Sequence, residues 1–276
     1  MAVRLFEGKV HAAAYLQYRV RHHELISKIV DFMKKKTPNQ LNLAVDVGCG
    51  SGQGTIPFSP FFTKVVGTDV SSAQLEMART ISNPPNVSYR QCPAEELPFA
   101  SGEVDLVTAM TAAHWFDRQK FLLEVDRVLR PGGCLALLNC SPIMIKLKYG
   151  DVSNTLNDIC QEFYDALSPF VSPHLGLSLT RNQVKIYKDI YNSCSYLEKE
   201  WHECFPVERI VPLTGYTGIV KTTHCYKKLL ETDSAEAEHL CNKLQNRLLS
   251  AMKASSPDTE VTMIFPCHYL LARKPL

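Results

Sequence analysis

Residues 43–55 read LAVDVGCGSGQGT: a buried-type apolar run that breaks into glycines at 48, 50, 52 and 54. A glycine-rich turn after a strand lets backbone come close to a ligand, and the helix N-terminus that usually follows favours negative charge. A P-loop is excluded, because no Lys-Ser or Lys-Thr follows the glycines. The dinucleotide fingerprint G-x-G-x-x-G fails in both registers: counting from Gly48 the sixth position is Gln53, and from Gly50 it is Thr55. What stands is Asp-x-Gly-x-Gly-x-Gly, from Asp46 through Gly52. A carboxylate at the strand end would repel a pyrophosphate. It would not repel a ligand carrying an ammonium and a sulfonium beside an adenosine.

A second acid completes the pattern. Asp69 ends TKVVGTD, residues 63–69, about twenty residues further on, where a carboxylate can accept both hydroxyls of a ribose. Each acid also has a plain structural reading. Asp46 could cap the loop, and Asp69 could cap the helix SSAQLEMARTI that starts near Ser71 or Ser72.

Around this loop, short β-branched runs alternate with helical patterns up to about Leu138, which predicts a βαβ series and a mainly parallel sheet. Residues 1–36 read as helix, with Leu25, Ile26, Ile29, Val30 and Met33 at helical spacing. Strands are expected at 41–47, TKVVGTD, NVSYRQ, VDLVTAM and CLALLNC. The helix FDRQKFLLEVDRVL is expected to stop at Arg130-Pro131-Gly132-Gly133. Beyond Cys140 the rhythm changes. Residues 142–203 carry hydrophobics at helical spacing, as in LNDICQEFYDALSPF and NQVKIYKDIYNSC, and no clear strand. FPVERIVPL and EVTMIFPCHYLLARK then read as two more strands, with TGIVKTTHCYKKLLE and AEAEHLCNKLQNRLLSAMK as helices between them.

Composition narrows the class. The chain has 276 residues, 45% apolar, enough to bury a real core. A net charge of +2 gives no basic footprint for nucleic acid or a membrane surface, and Lys34, Lys35 and Lys36 read as a solvated helix end. No apolar run approaches the ~18 residues of a membrane span, and MAVRLFEGKVHAAAYLQYRV is too charged for a secretory signal. The ten cysteines show no C-x-x-C and no zinc spacing. They are expected to be reduced, mostly core residues of a cytoplasmic protein. In that compartment the triplets at Asn86 and Asn139 that match the glycosylation pattern carry no sugar.

VDVGCGSG, VVGTDVS, CPAEELPF, VDLVTAMTAAHWFD and VLRPGGCLAL resemble, in order and spacing, the motifs of class I S-adenosylmethionine-dependent methyltransferases over residues 40–140. AEELPF and AAHWFD, with YLQYR upstream, look like the branch that contains trans-aconitate methyltransferase. The resemblance implies an α/β fold: a Rossmann-like, seven-stranded, mainly parallel sheet with helices on both faces. It divides the chain into an N-terminal helical cap over the cofactor (1–36), a cofactor-binding core (37–141), a helical insertion forming an acceptor lid (142–203), and a C-terminal part of the same domain that completes the sheet (204–276).

The same resemblance implies roles. Gly48, Cys49 and Gly50 would line the methionine part of S-adenosylmethionine, with Asp46 turned toward the loop. Asp69 would hold the ribose, Val70 would pack on the adenine, and Ala94 would offer it a backbone amide with Glu95 close by. Ala109, Met110 and Thr111 would face the sulfonium, while Tyr18 and Arg19 would fold over the cofactor, Arg19 pairing with its carboxylate. Many relatives carry an acid before the Ala-Glu pair. Here Pro93 stands there, so Glu95 or a backbone carbonyl would have to accept from the adenine amine.

Methyl transfer from a sulfonium needs alignment and dryness more than acid–base help. A carboxylate or thiolate acceptor needs no general base, whereas a hydroxyl or amine would profit from one. His114 stands just past the fourth strand, at the carboxyl end of the sheet, as base or as hydrogen-bond donor to an acceptor oxygen. Trp115 reads as pocket wall, and Lys221 and His224 as possible contacts for an anionic acceptor. No Asn/Asp-Pro-Pro-Tyr/Phe follows the fourth strand, which argues against nucleic-acid bases. The expected activity is methylation of a small molecule, a carboxylate first among them, without metal. Ring methylation of a lipid or quinone, a cofactor-binding regulatory module without turnover, and a nicotinamide dehydrogenase are the alternatives.

Overall fold

The computed structural model describes residues 23–36, 41–171 and 181–276. Contacts divide them into two units. The first holds 23–139, 184–203 and 268–276, and the second 140–183 and 204–267, each within the described residues. This partition crosses the four segments expected from the sequence.

The first unit is built on β1 (Leu41–Val47), β2 (Phe62–Asp69), β3 (Val87–Gln91), β4 (Val104–Met110), β5 (Leu129–Asn139) and the end of β8 (Glu260–Arg273), in the order β3-β2-β1-β4-β5-β8. The first five are parallel; β8 returns antiparallel against β5, from Cys134↔Arg273 to Asn139↔His268. β1 is buried at every position except Asn42, as expected of a parallel strand covered on both faces. Helices α1 (His23–Lys34), α2 (Ser72–Thr80), α3 (Arg118–Val128) and most of α5 (Arg181–Ser193) belong to this unit. Ser71 caps α2 by accepting from the N–H of Gln74, and Asp117 caps α3 by accepting from that of Lys120. On one face Val45, Val107, Leu135, Leu137 and Leu270 meet Phe121, Val125 and Val128 of α3 and Tyr187 and Ile190 of α5. Buried Arg273 ties three segments together: it donates to the carbonyl of Phe32 at 2.6 Å, to that of Gly132 at 3.2 Å and to Glu198 at 3.0 Å.

Pro131, Gly132 and Gly133 do not form a separate turn. They lie within β5, where the pairing with β4 shifts register between Val104 and Leu106, so the glycines serve a bulge.

The second unit contains α4 (Ser153–Ala166), α6 (Leu213–Lys221), α7 (His224–Thr232), α8 (Ser234–Met252) and β6 (Lys146–Lys148), which pairs antiparallel with residues 262–264 of β8. Strand β7 (Glu198–Pro212) also pairs with β8, so among the described residues the mixed sheet has eight strands rather than the seven expected. β6 and the start of β7 fall inside 142–203, which is therefore not wholly helical. The helix expected through Lys221 and His224 is two helices. Thr222 and Thr223 turn their hydroxyls back to the carbonyls of Ile219 and Val220 and break it. One pair of cysteines departs from the reduced state expected for all ten: Cys140 and Cys267, with Cα atoms 4.5 Å apart, form a disulfide. They follow and precede the register pair Asn139↔His268, and a separation of 127 residues hid the pairing from the sequence. Most of the remaining cysteines are buried thiols. No described helix is long and apolar enough to cross a membrane.

Candidate active site

The tips of β1, β2 and β4 carry the loop region. Asp46 is 1% exposed; its Oδ2 accepts the hydroxyl of Thr55 at 2.7 Å, and its Oδ1 has no hydrogen-bond partner among the described residues. Burial pushes its carboxyl up to about 7, against the opposing bond from Thr55, and the charge of Asp69 adds to the rise. Cys49, beside it, has its thiol pushed well up, first by burial and then by Asp69 and Asp46. It is a neutral wall rather than a nucleophile.

Asp69 binds the loop to β2. Its Oδ2 accepts the N–H of Gly50 and its Oδ1 that of Ser71, each at 2.9 Å. Both bonds come from backbone, and a carboxylate has lone pairs for more. The helix cap itself is Ser71, not Asp69.

Gly48 has φ +68°, and a Cβ there would lie 2.6 Å from Cβ of Ala112 and 3.1 Å from the ring of Phe116. Left-handed backbone and a fixed neighbour together demand glycine. Gly48→Ala should therefore cost about 2–4 kcal/mol, seen as a lowered denaturant midpoint with unchanged slope. A cost below about 0.5 kcal/mol would mean the loop relaxes freely. Gly54 serves close approach: a Cβ there would lie 2.7 Å from Sδ of Met110 and 3.4 Å from Oδ2 of Asp46.

At the tip of β4, Thr111 holds φ at 54°, unusual for a β-branched residue, and donates its N–H to Leu138 at 2.7 Å. Ala109 and Ala94 do not line an open surface; both side chains lie in the hydrophobic core, leaving only backbone to offer a ligand. The carbonyl of Val70 accepts from Gln91, and Oε1 of Glu95 accepts the N–H of Asp117 at 2.8 Å, which engages one oxygen of the acid expected to replace the missing adenine acceptor.

His114 sits in the 3-10 turn Ala113–Trp115, 4% exposed, with Nδ1 3.4 Å from the hydroxyl of Tyr187. Its ring centroid is 5.0 Å from that of half-buried Trp115 and 6.0 Å from that of Tyr187. Asp46, Gly48, Cys49, Gly50, Asp69, Val70, Ala94, Glu95, Ala109, Met110, Thr111, His114 and Trp115 all belong to the first unit. Lys221 and His224 belong to the second, Lys221 exposed at the end of α6 and His224 buried at the start of α7. Tyr18 and Arg19 lie outside the described residues. Two groups were missed. Thr55, a polar residue in an otherwise small-residue turn, left a faint signal; Tyr187 left none, because it reaches His114 across 73 residues of sequence.

A family profile described as a methyltransferase domain matches residues 45–137. Across nearly the whole chain the sequence is similar to a Dictyostelium discoideum protein provisionally named a methyltransferase. The two are 36% identical over 263 residues, 95% of this chain and 92% of that protein. The chain belongs to the class I S-adenosylmethionine-dependent methyltransferases. Part of it is also similar to the ubiquinone/menaquinone biosynthesis C-methyltransferase UbiE of Psychromonas ingrahamii, 32% identical over 161 residues, 54% of this chain and 57% of that one. Among solved structures, a provisionally named type II methyltransferase from Anaeromyxobacter dehalogenans shares the fold, with a TM-score of 0.68 over 94% of this chain and all of that one, at 22% identity.

The residues present fit S-adenosylmethionine. Asp46 keeps a buried, unbonded carboxylate oxygen suited to a cationic ligand, and Gly48, Gly50 and Gly52 keep positive φ around the loop. The protein uses that cofactor for methyl transfer.

Proposed function

We propose that the acceptor is a small molecule methylated on a carboxylate, and that Asp69 holds the cofactor's ribose, Val70 and Ala94 its adenine, with Glu95 beside them. Gly48, Cys49 and Gly50 flank its methionine part, and Met110 and Thr111, with the backbone of Ala109, border the reacting end. When bound, the cofactor supplies a methyl already activated on a sulfonium. The chain's own work is then to bind, orient and exclude water.

The observation that carries the small acceptor is the burial of His114 three residues past Thr111. An acceptor that reaches its imidazole must enter an enclosed space, which a folded macromolecule cannot do. Tyr187 steadies the ring at Nδ1, and the imidazole orients an acceptor oxygen. Trp115 stands as wall beside it.

A second reading, C- or O-methylation of a quinone-like or lipid ring, is favoured by the similarity to a relative named for C-methylation in ubiquinone/menaquinone biosynthesis. His114→Gln separates the two after a radiolabelled methyl-transfer screen of small carboxylic acids and quinols. For a carboxylate, which needs no base, kcat should fall less than tenfold while KM rises. For a ring hydroxyl or carbon, kcat should fall about 10²–10⁴-fold. Turnover of quinols but of no acid would overturn the carboxylate.

A further inference from the structure

Asn139 closes β5 with none of its surface exposed, and neither its Nδ2 nor its Oδ1 has a hydrogen-bond partner among the described residues. Alternation along the strand puts its side chain on the face of Leu135 and Leu137, both core residues. Across the ladder it stands opposite His268, which shares the face of Leu270 and Ala272 on β8. Trp201 packs on the same core, its ring centroid 6.3 Å from that of His268. The position is also beside the reaction centre's tip: Thr111 donates its N–H to Leu138, the residue before Asn139.

Burying a carboxamide without partners works against folding, whereas a leucine of similar volume would continue the apolar series 135, 137, 139 at no such cost. Among the described residues nothing answers it, so the position calls for a partner from outside them, and a bound ligand supplies one. A carboxamide offers a donor and an acceptor side by side, so a bare carboxylate would satisfy Nδ2 and be repelled by Oδ1. A ligand with a hydroxyl next to its carboxylate satisfies both.

We infer that Asn139 is an acceptor-binding residue that selects a small hydroxy acid by a two-point contact; this rests on the small-carboxylate reading above. The inference adds a residue and a substrate class to that site, and it separates acids that the methyl-donor half could not distinguish.

The test uses the full-length protein. Asn139→Leu, and Asn139→Val as a β-branched second variant suited to a strand, are compared with the parent by thermal melting without ligand. Both should melt about 3 °C higher or more, because the unsatisfied group is gone. Calorimetry in saturating S-adenosylhomocysteine then compares 2-hydroxybenzoate with benzoate, and lactate with propionate. The parent should bind one hydroxy acid at least tenfold tighter than its partner, and the leucine variant should lose that difference while S-adenosylhomocysteine affinity stays within twofold. A fall in Tm for both variants overturns Asn139 as an unsatisfied group. A rise in Tm without any preference for a hydroxy acid overturns the substrate class. A hydroxy-acid preference that survives in the leucine variant overturns the two-point contact alone, and binding of no acid at all overturns the small-carboxylate reading with it.

Discussion

Asp69→Ala should weaken the binding of S-adenosylhomocysteine by about a hundredfold or more, with no binding of NAD by either form. Two effects act together. The substitution removes the acceptor proposed for the ribose, and it releases the N–H groups of Gly50 and Ser71, so the loop loses its tie to β2. A hydrogen bond to a charged group contributes about 1.5–3 kcal/mol, and about 2.7 kcal/mol is a hundredfold in affinity. The lost loop contacts should also lower stability by about 2 kcal/mol. Asp69→Asn tells the two apart. The amide keeps one accepting oxygen for Ser71 or Gly50 and loses the charge, so stability should recover more than affinity does. Calorimetric titration with each ligand and a denaturation curve measure both. Affinity for S-adenosylhomocysteine within threefold of the parent in Asp69→Ala would mean that the ribose sits elsewhere.

The second large effect is a pH dependence that belongs to Asp46. Its carboxyl is raised from 3.8 to about 7 by burial. Between these values the folded protein holds a proton that the unfolded chain has released, so the unliganded fold loses stability as pH rises through about 4 to 7. A cationic group beside the carboxylate, in S-adenosylhomocysteine its ammonium, reverses the balance, since it favours the charged form and expels the proton on binding. Affinity for S-adenosylhomocysteine should therefore be about tenfold lower at pH 6 than at pH 8, with up to one proton released per ligand bound at the lower pH. Asp46→Asn cannot titrate. It should bind weakly with little change between the two pH values, and without ligand it should be more stable than the parent at pH 8. Calorimetry in buffers of different ionisation enthalpy reads the proton directly. An affinity in the parent that does not change between pH 6 and pH 8 would remove Asp46 from the ligand's surroundings.

Much of the methyl-donor half of this site was legible because its signals are local. The glycines must stand where backbone turns left-handed, the acids must stand at strand ends, and both demands fall on consecutive or nearly consecutive residues. Gly48 illustrates the point: its φ of +68° and its contact with Ala112 leave no other residue type, so the geometry is written in the letter itself. Ala109 and Ala94 show the limit. Motif position puts them at the site, but the pleat of β4 turns Ala109 into the core, and the turn after β3 does the same with Ala94. The proposed acceptor half rests on long-range partners. Tyr187 reaches His114, and His268 faces Asn139, and in neither case does either segment carry a mark of the other. The disulfide between Cys140 and Cys267 follows the same rule.

By itself, then, the sequence determined the parallel βαβ core, the glycine loop and the two acids, because hydrophobic periodicity and turn chemistry act over a few residues. Only the tertiary structure decided that the described sheet has eight strands, that Asp46 is buried enough for its carboxyl to be pushed up to about 7, and that Asn139 is left without a partner among the described residues. Register, desolvation and hydrogen-bond satisfaction depend on which distant segments meet, and that is settled by packing the whole chain.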